Sequence, residues 1–211
     1  PSTIDIESMS PDGVLRRKQH TFWKTAWGPV LAMPRLGLAC TASKAYAIQD
    51  ANTGNARFAD AWLAMNKARS VEDLRKAISN SSMPWANTIA ADRHGAAMYA
   101  DLSVVPDVSA THLKRCAPSP AAAALMAAAD VAVLDGSKST CGWERDPAAP
   151  VPGLMPAIRM PVLIRSDWVQ NSNDSYWLSN PSMVPEGISP MLGSVNNVQR
   201  LRTRVGIEEI R

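Results

Sequence analysis

Few residues in this sequence have the types and spacings that catalysis requires. The three histidines (His20, His94 and His112) are far apart, and none has a second histidine or a cysteine at ligand spacing, so surface or turn positions are expected. Residues 136–140 (Gly-Ser-Lys-Ser-Thr) resemble a phosphate-binding loop but lack its earlier glycine. The Gly-x-Ser-x-Gly elbow of serine hydrolases is missing, and Glu208-Glu209 is typical of a solvated helix face. These patterns predict neither a metal site nor a cofactor.

Composition and charge narrow the class of protein. Hydrophobic residues make up 46% of the 211 residues, enough to bury a core. The net charge is only +3 and the longest basic run is Arg16-Arg17-Lys18, so nucleic acid is not an expected partner. No apolar stretch reaches the ~18 residues that cross a bilayer, so no membrane partner is expected either. Residues 1–5 do not resemble a signal peptide, and we expect the chain to begin after processing or inside a longer product.

Tryptophan, proline and cysteine carry further information. Seven Trp and sixteen Pro indicate long, ordered, irregular connections and aromatic-lined cavities. Cys40, Cys116 and Cys141 do not form a metal-binding pattern. From their spacing alone, free buried thiols are as good an interpretation as any pairing.

Strand signals recur along the chain. Alternating apolar residues around a Ser-Pro-Asp-Gly turn predict a hairpin over residues 4–14. A third strand is expected over residues 22–27, ended by Gly28-Pro29. A second hairpin is expected over residues 86–105, and a short strand over residues 160–164.

Helix signals lie between these strands. Apolar residues at i, i+3, i+4 and i+7 predict a helix over residues 55–68. A second helix is expected to begin at Ser70, which with Asp73 resembles a capping box. Residues 117–134 are rich in alanine and favour a helix, and residues 198–211 are typical of the beginning of another.

Four segments together resemble the large subunit of the penicillin acylase family, and within it the acyl-homoserine-lactone acylases. They occur in the family's order and spacing, and the likeness runs from about residue 1 to residue 211. The segments are residues 27–30 (Trp-Gly-Pro-Val), 45–52 (Ala-Tyr-Ala-Ile-Gln-Asp-Ala-Asn), 84–92 (Pro-Trp-Ala-Asn-Thr-Ile-Ala-Ala-Asp) and 170–177 (Gln-Asn-Ser-Asn-Asp-Ser-Tyr-Trp).

This resemblance implies an α+β fold that is part of an N-terminal-nucleophile hydrolase, an αββα sandwich. Residues 1–211 would be a single internal segment of the large subunit. Family members free an N-terminal serine whose own α-amino group acts as the base. Pro1 is not that serine and Ser2 stands behind another residue, so we expect this chain to lack the nucleophile. The remaining acylase segments are then its expected partners, together with a small N-acyl substrate.

The resemblance also implies two catalytic residues. Asn173 matches the family's oxyanion-hole asparagine, and a side-chain amide is a donor that does not titrate. The alternative is an asparagine that merely forms an Asx turn. Arg202 matches an arginine beside the nucleophile, where a fixed positive charge would polarise the site and hold the amine base unprotonated. Its alternative is a basic helix face.

Three residues match positions that line the family's acyl pocket. Trp62 would lie on the first helix, where ordinary core packing is the alternative, and Trp85 and Ala86 would open the second hairpin. Related acylases often carry a bulkier residue at the place of Ala86, so a wider pocket is expected. Related periplasmic acylases have a disulfide that corresponds to Cys116–Cys141, which implies an exported, bacterial protein and leaves Cys40 without a partner.

The expected function is therefore part of an amidohydrolase. The parent protein would cleave the acyl amide of N-acyl-homoserine lactones, or a penicillin-type side-chain amide, while this chain alone would hydrolyse nothing. A non-catalytic secreted binding module with tryptophan-lined recognition is the alternative. It requires exposed, coplanar tryptophans on one sheet face, whereas the acylase interpretation requires Trp62 and Trp85 to converge on one cavity.

Overall fold

Backbone pairing, rather than a hydrophobic core, organises the first fifty residues. The computed structural model describes residues 1–210. The chain folds into two compact units, and Pro1–Asp50 is the first. Strands β1 (Ser2–Met9) and β2 (Leu15–Phe22) pair antiparallel around a turn in which Gly13 has a φ of +79°. This hairpin confirms the prediction for residues 4–14.

The prediction for the next strand was partly wrong. Instead of one strand over residues 22–27, three short strands form a sheet: β3 (Lys24–Thr25), β4 (Gly28–Leu31) and β5 (Tyr46–Ala47). Gly28 and its proline begin β4 rather than ending a strand. A Cβ at Gly28 would lie 1.9 Å from the carbonyl oxygen of Ile48, so only glycine permits this close approach of two backbones.

The second unit begins at Ala51 and contains the α-helices of residues 1–210 and a second three-stranded sheet. The strands of this sheet are Asn87–Ala91 (β6), Ala97–Asp101 (β7) and Val162–Arg165 (β8). They pair antiparallel in that order, so β7 is central. The elements of this unit are α1 (Arg57–Met65), α2 (Val71–Ile78), β6 (Asn87–Ala91), β7 (Ala97–Asp101), α3 (Ala110–Cys116), α4 (Pro120–Ala129), β8 (Val162–Arg165) and α5 (Leu201–Ile210).

Each face of this sheet packs against a different layer. Alternate residues of a strand point to opposite faces, and Met98 on one face joins the core cluster that includes the apolar residues of α1 and α2. Tyr99 and Leu163, which are register partners, point to the other face. There they pack with Tyr176 and its neighbours. The sheet is therefore held between a helical layer and the irregular segment that follows β8.

The helix predictions are confirmed in position, with one difference in packing. The Ser70 hydroxyl accepts a hydrogen bond from the Asp73 backbone N–H (3.1 Å) and caps α2. In α1, Ala61 is buried, but Trp62 is 51% exposed. Trp62 is therefore not an ordinary core residue.

Helix α3 was not foreseen, because its buried face carries no aliphatic stripe. The side chains that it buries are His112 and Cys116, so the surface or turn position expected for His112 was wrong. Cys116 forms a disulfide with Cys141, 25 residues along the chain, which is the pairing that the resemblance implies. Cys40 is a free, exposed cysteine.

Candidate active site

The loop that follows β8 holds Asn173 in an unusual backbone conformation. Its φ is +57°, in the left-handed region that asparagine tolerates better than most residues. The Asn173 backbone N–H donates to Oδ1 of Asn171 (2.8 Å), which makes an Asx turn. The side chain that forms the turn thus belongs to Asn171, and the Asn173 side chain remains available for other contacts.

Arg202 holds the amide oxygen of Asn173. One terminal nitrogen of the guanidinium donates to Oδ1 of Asn173 (3.0 Å) and also to the backbone carbonyl of Ser172. Because a guanidinium has only donors, the atom that faces it must be the amide oxygen. The amide nitrogen of Asn173 is consequently turned away from Arg202, and it has no partner within residues 1–210.

Helix α5 fastens the loop at a second point. The Thr203 hydroxyl, which is fully buried, donates to Oδ2 of Asp174 (2.9 Å). Burial alone would raise the pKa of Asp174, but hydrogen bonds from Thr203 and from the Ser175 backbone outweigh it and lower that pKa overall. The carboxylate therefore stays ionised near neutral pH and keeps α5 attached to the loop.

The residues that lead into β6 form the other wall of the candidate site. The Ala86 backbone N–H donates to the Ser103 hydroxyl (3.1 Å), which in turn donates to Asp101. The carbonyl of Pro84 accepts from the Asn52 side chain (3.0 Å). These bonds fix the backbone on both sides of Trp85, whose own side chain is 80% exposed.

Between the two walls lies an open cavity of about 430 Å³. It brings together three of the residues singled out from the sequence: Asn173, Trp85 and Ala86. Its lining combines amide and apolar side chains, and consists of Trp85, Ala86, Asn87, Ile89, Asn171 and Asn173. Such a lining suits a ligand with a polar group next to an apolar chain.

Trp62 does not line this cavity together with Trp85, Ala86 and Asn173. The cavity lining does not include Trp62, so the expected convergence of Trp62 and Trp85 is not found in the described part of the chain. The reason is the rotation of α1, which turns Ala61 into the core and leaves Trp62 half exposed on a neighbouring face. A place for Trp62 in the acyl pocket stays a prediction. Since Trp62 lies on a helix, the two tryptophans do not form a row on one sheet face, which the binding-module alternative requires.

Sequence reasoning did not single out Asn87 and Ile89, although both lie in the matched segment 84–92. A signal was present: residues two apart in a strand share a face, so the prediction of a strand here implies that Asn87 and Ile89 point together. What the sequence did not reveal is the hydrogen bond from the Tyr99 hydroxyl to Oδ1 of Asn87 (2.7 Å).

Across residues 1–210, no cluster of three His, Cys, Asp or Glu side chains could hold a metal ion. No helix in the same range combines the length and hydropathy needed to span a bilayer.

Comparisons with known proteins show which family and which relatives this chain is similar to. The family model described as penicillin amidase matches residues 2–209. The chain is 36% identical over 209 residues to an acyl-homoserine lactone acylase, PvdQ, of Pseudomonas fluorescens, covering 99% of this chain and 26% of that protein. It is 43% identical over 192 residues to the aculeacin-A acylase of Actinoplanes utahensis, covering 90% of this chain and 24% of that protein. The chain thus spans about a quarter of the length of these curated relatives.

A solved structure shows the same fold. The thermostable penicillin G acylase of Alcaligenes faecalis superposes with a TM-score of 0.55 over 99% of this chain and 31% of its own. The two sequences are only 16% identical, so this likeness concerns the fold alone. It confirms the expected mixture of helices and sheets in an N-terminal-nucleophile hydrolase fold.

Proposed function

This chain belongs to the penicillin amidase family, and we propose that it supplies an oxyanion-binding asparagine and one wall of the acyl pocket to an amidohydrolase. The proposed substrate is the acyl amide of an N-acyl-homoserine lactone. One observation carries the proposal: the Asn173 side chain, with its oxygen held by Arg202, lines the same cavity as Trp85 and Ala86.

The chemistry of amide hydrolysis explains why this arrangement matters. Attack on the carbonyl produces a tetrahedral intermediate whose oxygen carries negative charge, and donors fixed in advance stabilise it. With its oxygen bound to Arg202, the Asn173 amide has its NH2 group left as the donor that we assign to the substrate oxyanion. Loss of one such donor typically raises the barrier by roughly 3–4 kcal/mol.

The apolar part of the cavity suits an acyl chain. Trp85 and Ile89 offer exposed apolar area beside the two amides, and a hydrocarbon chain gains about 0.8 kcal/mol for each CH₂ group that it buries there. The small side chain of Ala86 leaves room at this wall.

Other parts of the enzyme are proposed to come from outside these residues. The nucleophilic serine, the rest of the acyl pocket and the small subunit would be supplied by the remaining acylase segments, so this chain alone is expected to be inactive. The Cys116–Cys141 disulfide supports an exported, periplasmic or secreted location, because disulfides persist in oxidising compartments.

A second candidate substrate follows from the comparisons. The relative with 43% identity is an aculeacin-A acylase, so an aculeacin-type acyl amide is to be tested beside the lactones. A penicillin-type side-chain amide comes next. All three reactions separate an acyl group from an amine, and the proposed role of Asn173 is the same in each.

The decisive experiment replaces Asn173 by alanine in the full-length gene product. We expect kcat for acyl-homoserine lactone hydrolysis to fall by roughly 10²–10³-fold, with little change in KM, because the donor acts mainly in the transition state. Steady-state kinetics with all three substrate types gives the measurement.

Asn66→Ala is the matched control, since Asn66 is an exposed asparagine at the end of α1 and outside the cavity lining. It should leave kcat unchanged. An unchanged kcat in Asn173→Ala would remove Asn173 from the mechanism.

A further inference from the structure

Three asparagines line the cavity, and their hydrogen bonds give them different roles. Asn171 uses both ends of its amide inside the loop: Oδ1 accepts from the Asn173 backbone, and Nδ2 donates to the carbonyl of Asp174 (3.1 Å). Asn173 has its oxygen bound to Arg202. Asn87, on the opposite wall, has its oxygen bound to Tyr99. The amide nitrogens of Asn87 and Asn173 are therefore the two that remain for a ligand within the described lining.

The bond from Tyr99 fixes which end of the Asn87 amide is held by the protein and which end is left for a ligand. Tyr99 is 1% exposed and packs in the core cluster with Leu163 and Tyr176, so its ring is held in place. Burial raises the pKa of Tyr99 well above its ordinary value, with the nearby carboxylate of Asp101 adding to the effect. The phenol thus remains a donor, and the Asn87 atom that it meets must be the oxygen.

The backbone at Asn87 is equally constrained. Asn87 pairs with Asp101 across β6 and β7, and the preceding residue, Ala86, donates to the Ser103 hydroxyl. A side chain that is held at its backbone and at its oxygen presents its NH2 group in a defined direction. Such a preorganised donor loses little entropy on binding an acceptor.

We propose that Asn87 is a specificity-determining residue, which donates a hydrogen bond to a second acceptor oxygen of the substrate while Asn173 serves the scissile carbonyl. The inference rests on the proposed function and deepens it. It assigns the site to substrates that carry a carbonyl or hydroxyl oxygen near the amide, rather than to plain alkyl amides.

Two parts of the substrate carry an oxygen that accepts a hydrogen bond in the same way. It belongs either to the acyl chain, as a hydroxyl or oxo group close to the amide, or to the leaving amine, as the lactone carbonyl. A site that hydrogen-bonds a substrate oxygen discriminates against the analogue without it, because its polar group is then left unpaired.

The test uses the full-length gene product and four substrates. Two acyl chains, one straight and one with a β-hydroxyl, are each joined to homoserine lactone and to cyclopentylamine, which lacks the lactone oxygens. The readout is the ratio of kcat/KM between an oxygen-bearing substrate and its oxygen-free counterpart. Asn87→Ala should lower one of these ratios by about 5- to 10-fold, the usual effect of losing one neutral hydrogen bond.

A second variant separates the donor from mere packing. Tyr99→Phe keeps the buried ring and removes only the hydroxyl that orients Asn87, so it should lower the same ratio, by a smaller factor. Asn66→Ala should leave both ratios unchanged. A fall in only one ratio supports the inference. If the ratio for the acyl-chain hydroxyl falls, the second oxygen belongs to the acyl chain; if the ratio for the lactone falls, it belongs to the leaving amine.

An equal fall in kcat/KM for all four substrates, or no change in either ratio, would overturn the inference about Asn87. The outcome can be told apart from a failure of the proposed function, which depends on kcat in Asn173→Ala. Should the wild type hydrolyse none of the four, calorimetric Kd values for the same compounds give the ratios instead, and equal losses of affinity overturn the inference there too.

Discussion

At Arg202, one guanidinium nitrogen serves two acceptors, the Ser172 carbonyl and the Asn173 amide oxygen. The same contact defines both the backbone of the loop and the direction of the amide. A fixed charge beside the nucleophile, the role that the resemblance implies, is a separate hypothesis. The two roles predict different kinetics, so they can be distinguished by substitution.

We expect Arg202→Leu in the full-length gene product to lower kcat by roughly 10- to 100-fold, the cost of losing a charge-assisted hydrogen bond. If Arg202 orients Asn173, the acid limb of the kcat/KM pH profile will not move, and Arg202→Lys will recover part of the loss. If its charge acts on the amine base, removing it will raise the pKa of that amine and move the acid limb to higher pH.

At the scale of elements, one carboxylate joins α2 to the second hairpin. Oδ2 of Asp92 accepts from the Val71 backbone N–H (3.0 Å) at the start of α2, and Oδ1 accepts from His94 (2.8 Å) and Ala96 (3.2 Å) in the turn. Asp92 thus caps a helix and closes the turn between β6 and β7 at once. The position of the hairpin that carries Trp85 and Asn87 depends in part on this contact.

Asp92→Asn should lower the melting temperature by a few degrees at pH 7, and the difference from the wild type should shrink in acid. Hydrogen bonds from Val71, Ala96 and His94 lower the pKa of Asp92 in the folded state. A depressed folded-state pKa contributes stability that is present above the unfolded-state value of about 3.9 and is lost as the pH falls through the folded value.

Thermal unfolding followed by circular dichroism between pH 7 and pH 3 makes this measurement. Asp60→Asn, at an exposed aspartate in the first turn of α1, is a suitable comparison. A difference between Asp92→Asn and the wild type that stays constant with pH would contradict the assignment.

At the scale of the whole molecule, apolar burial is unequal between the two units. Both core clusters lie in the unit that begins at Ala51. In Pro1–Asp50, all of which the structure describes, Leu38 is the one buried residue. A hairpin without a buried face is marginally stable in water, which fits a chain that spans about a quarter of its relatives' length. This supports the proposal that further acylase segments complete the structure.

The disulfide contributes to stability in the second unit. Cys116 and Cys141 close a loop of 25 residues that contains α4 and irregular chain. Replacing both by alanine should lower the free energy of unfolding by about 3 kcal/mol, because the open loop gains entropy in the unfolded chain. Urea denaturation provides the measurement. Cys40→Ala, at the exposed free cysteine, should have little effect, and equal midpoints for the double variant and the wild type would contradict the prediction.

The amino-acid sequence alone predicts much of the local structure, and it predicts the family. The Ser70 cap, both hairpins and the helical periodicity of residues 55–68 depend on hydrogen bonds and side-chain spacing within a few residues, which a linear pattern records. The four matched segments determined the family in the same way, because residue types in order and spacing are directly readable.

Which of these residues meet depends on the three-dimensional fold. Arg202 contacts Asn173 across 29 residues, and Tyr99 contacts Asn87 across the hairpin. The rotation that leaves Trp62 half exposed depends on how α1 packs, since its apolar stripe fits more than one orientation. Such contacts depend on the path of the chain and on burial, which local spacing does not encode. They nevertheless fix which end of the Asn87 and Asn173 amides is held by the protein, and therefore which end is left for a ligand.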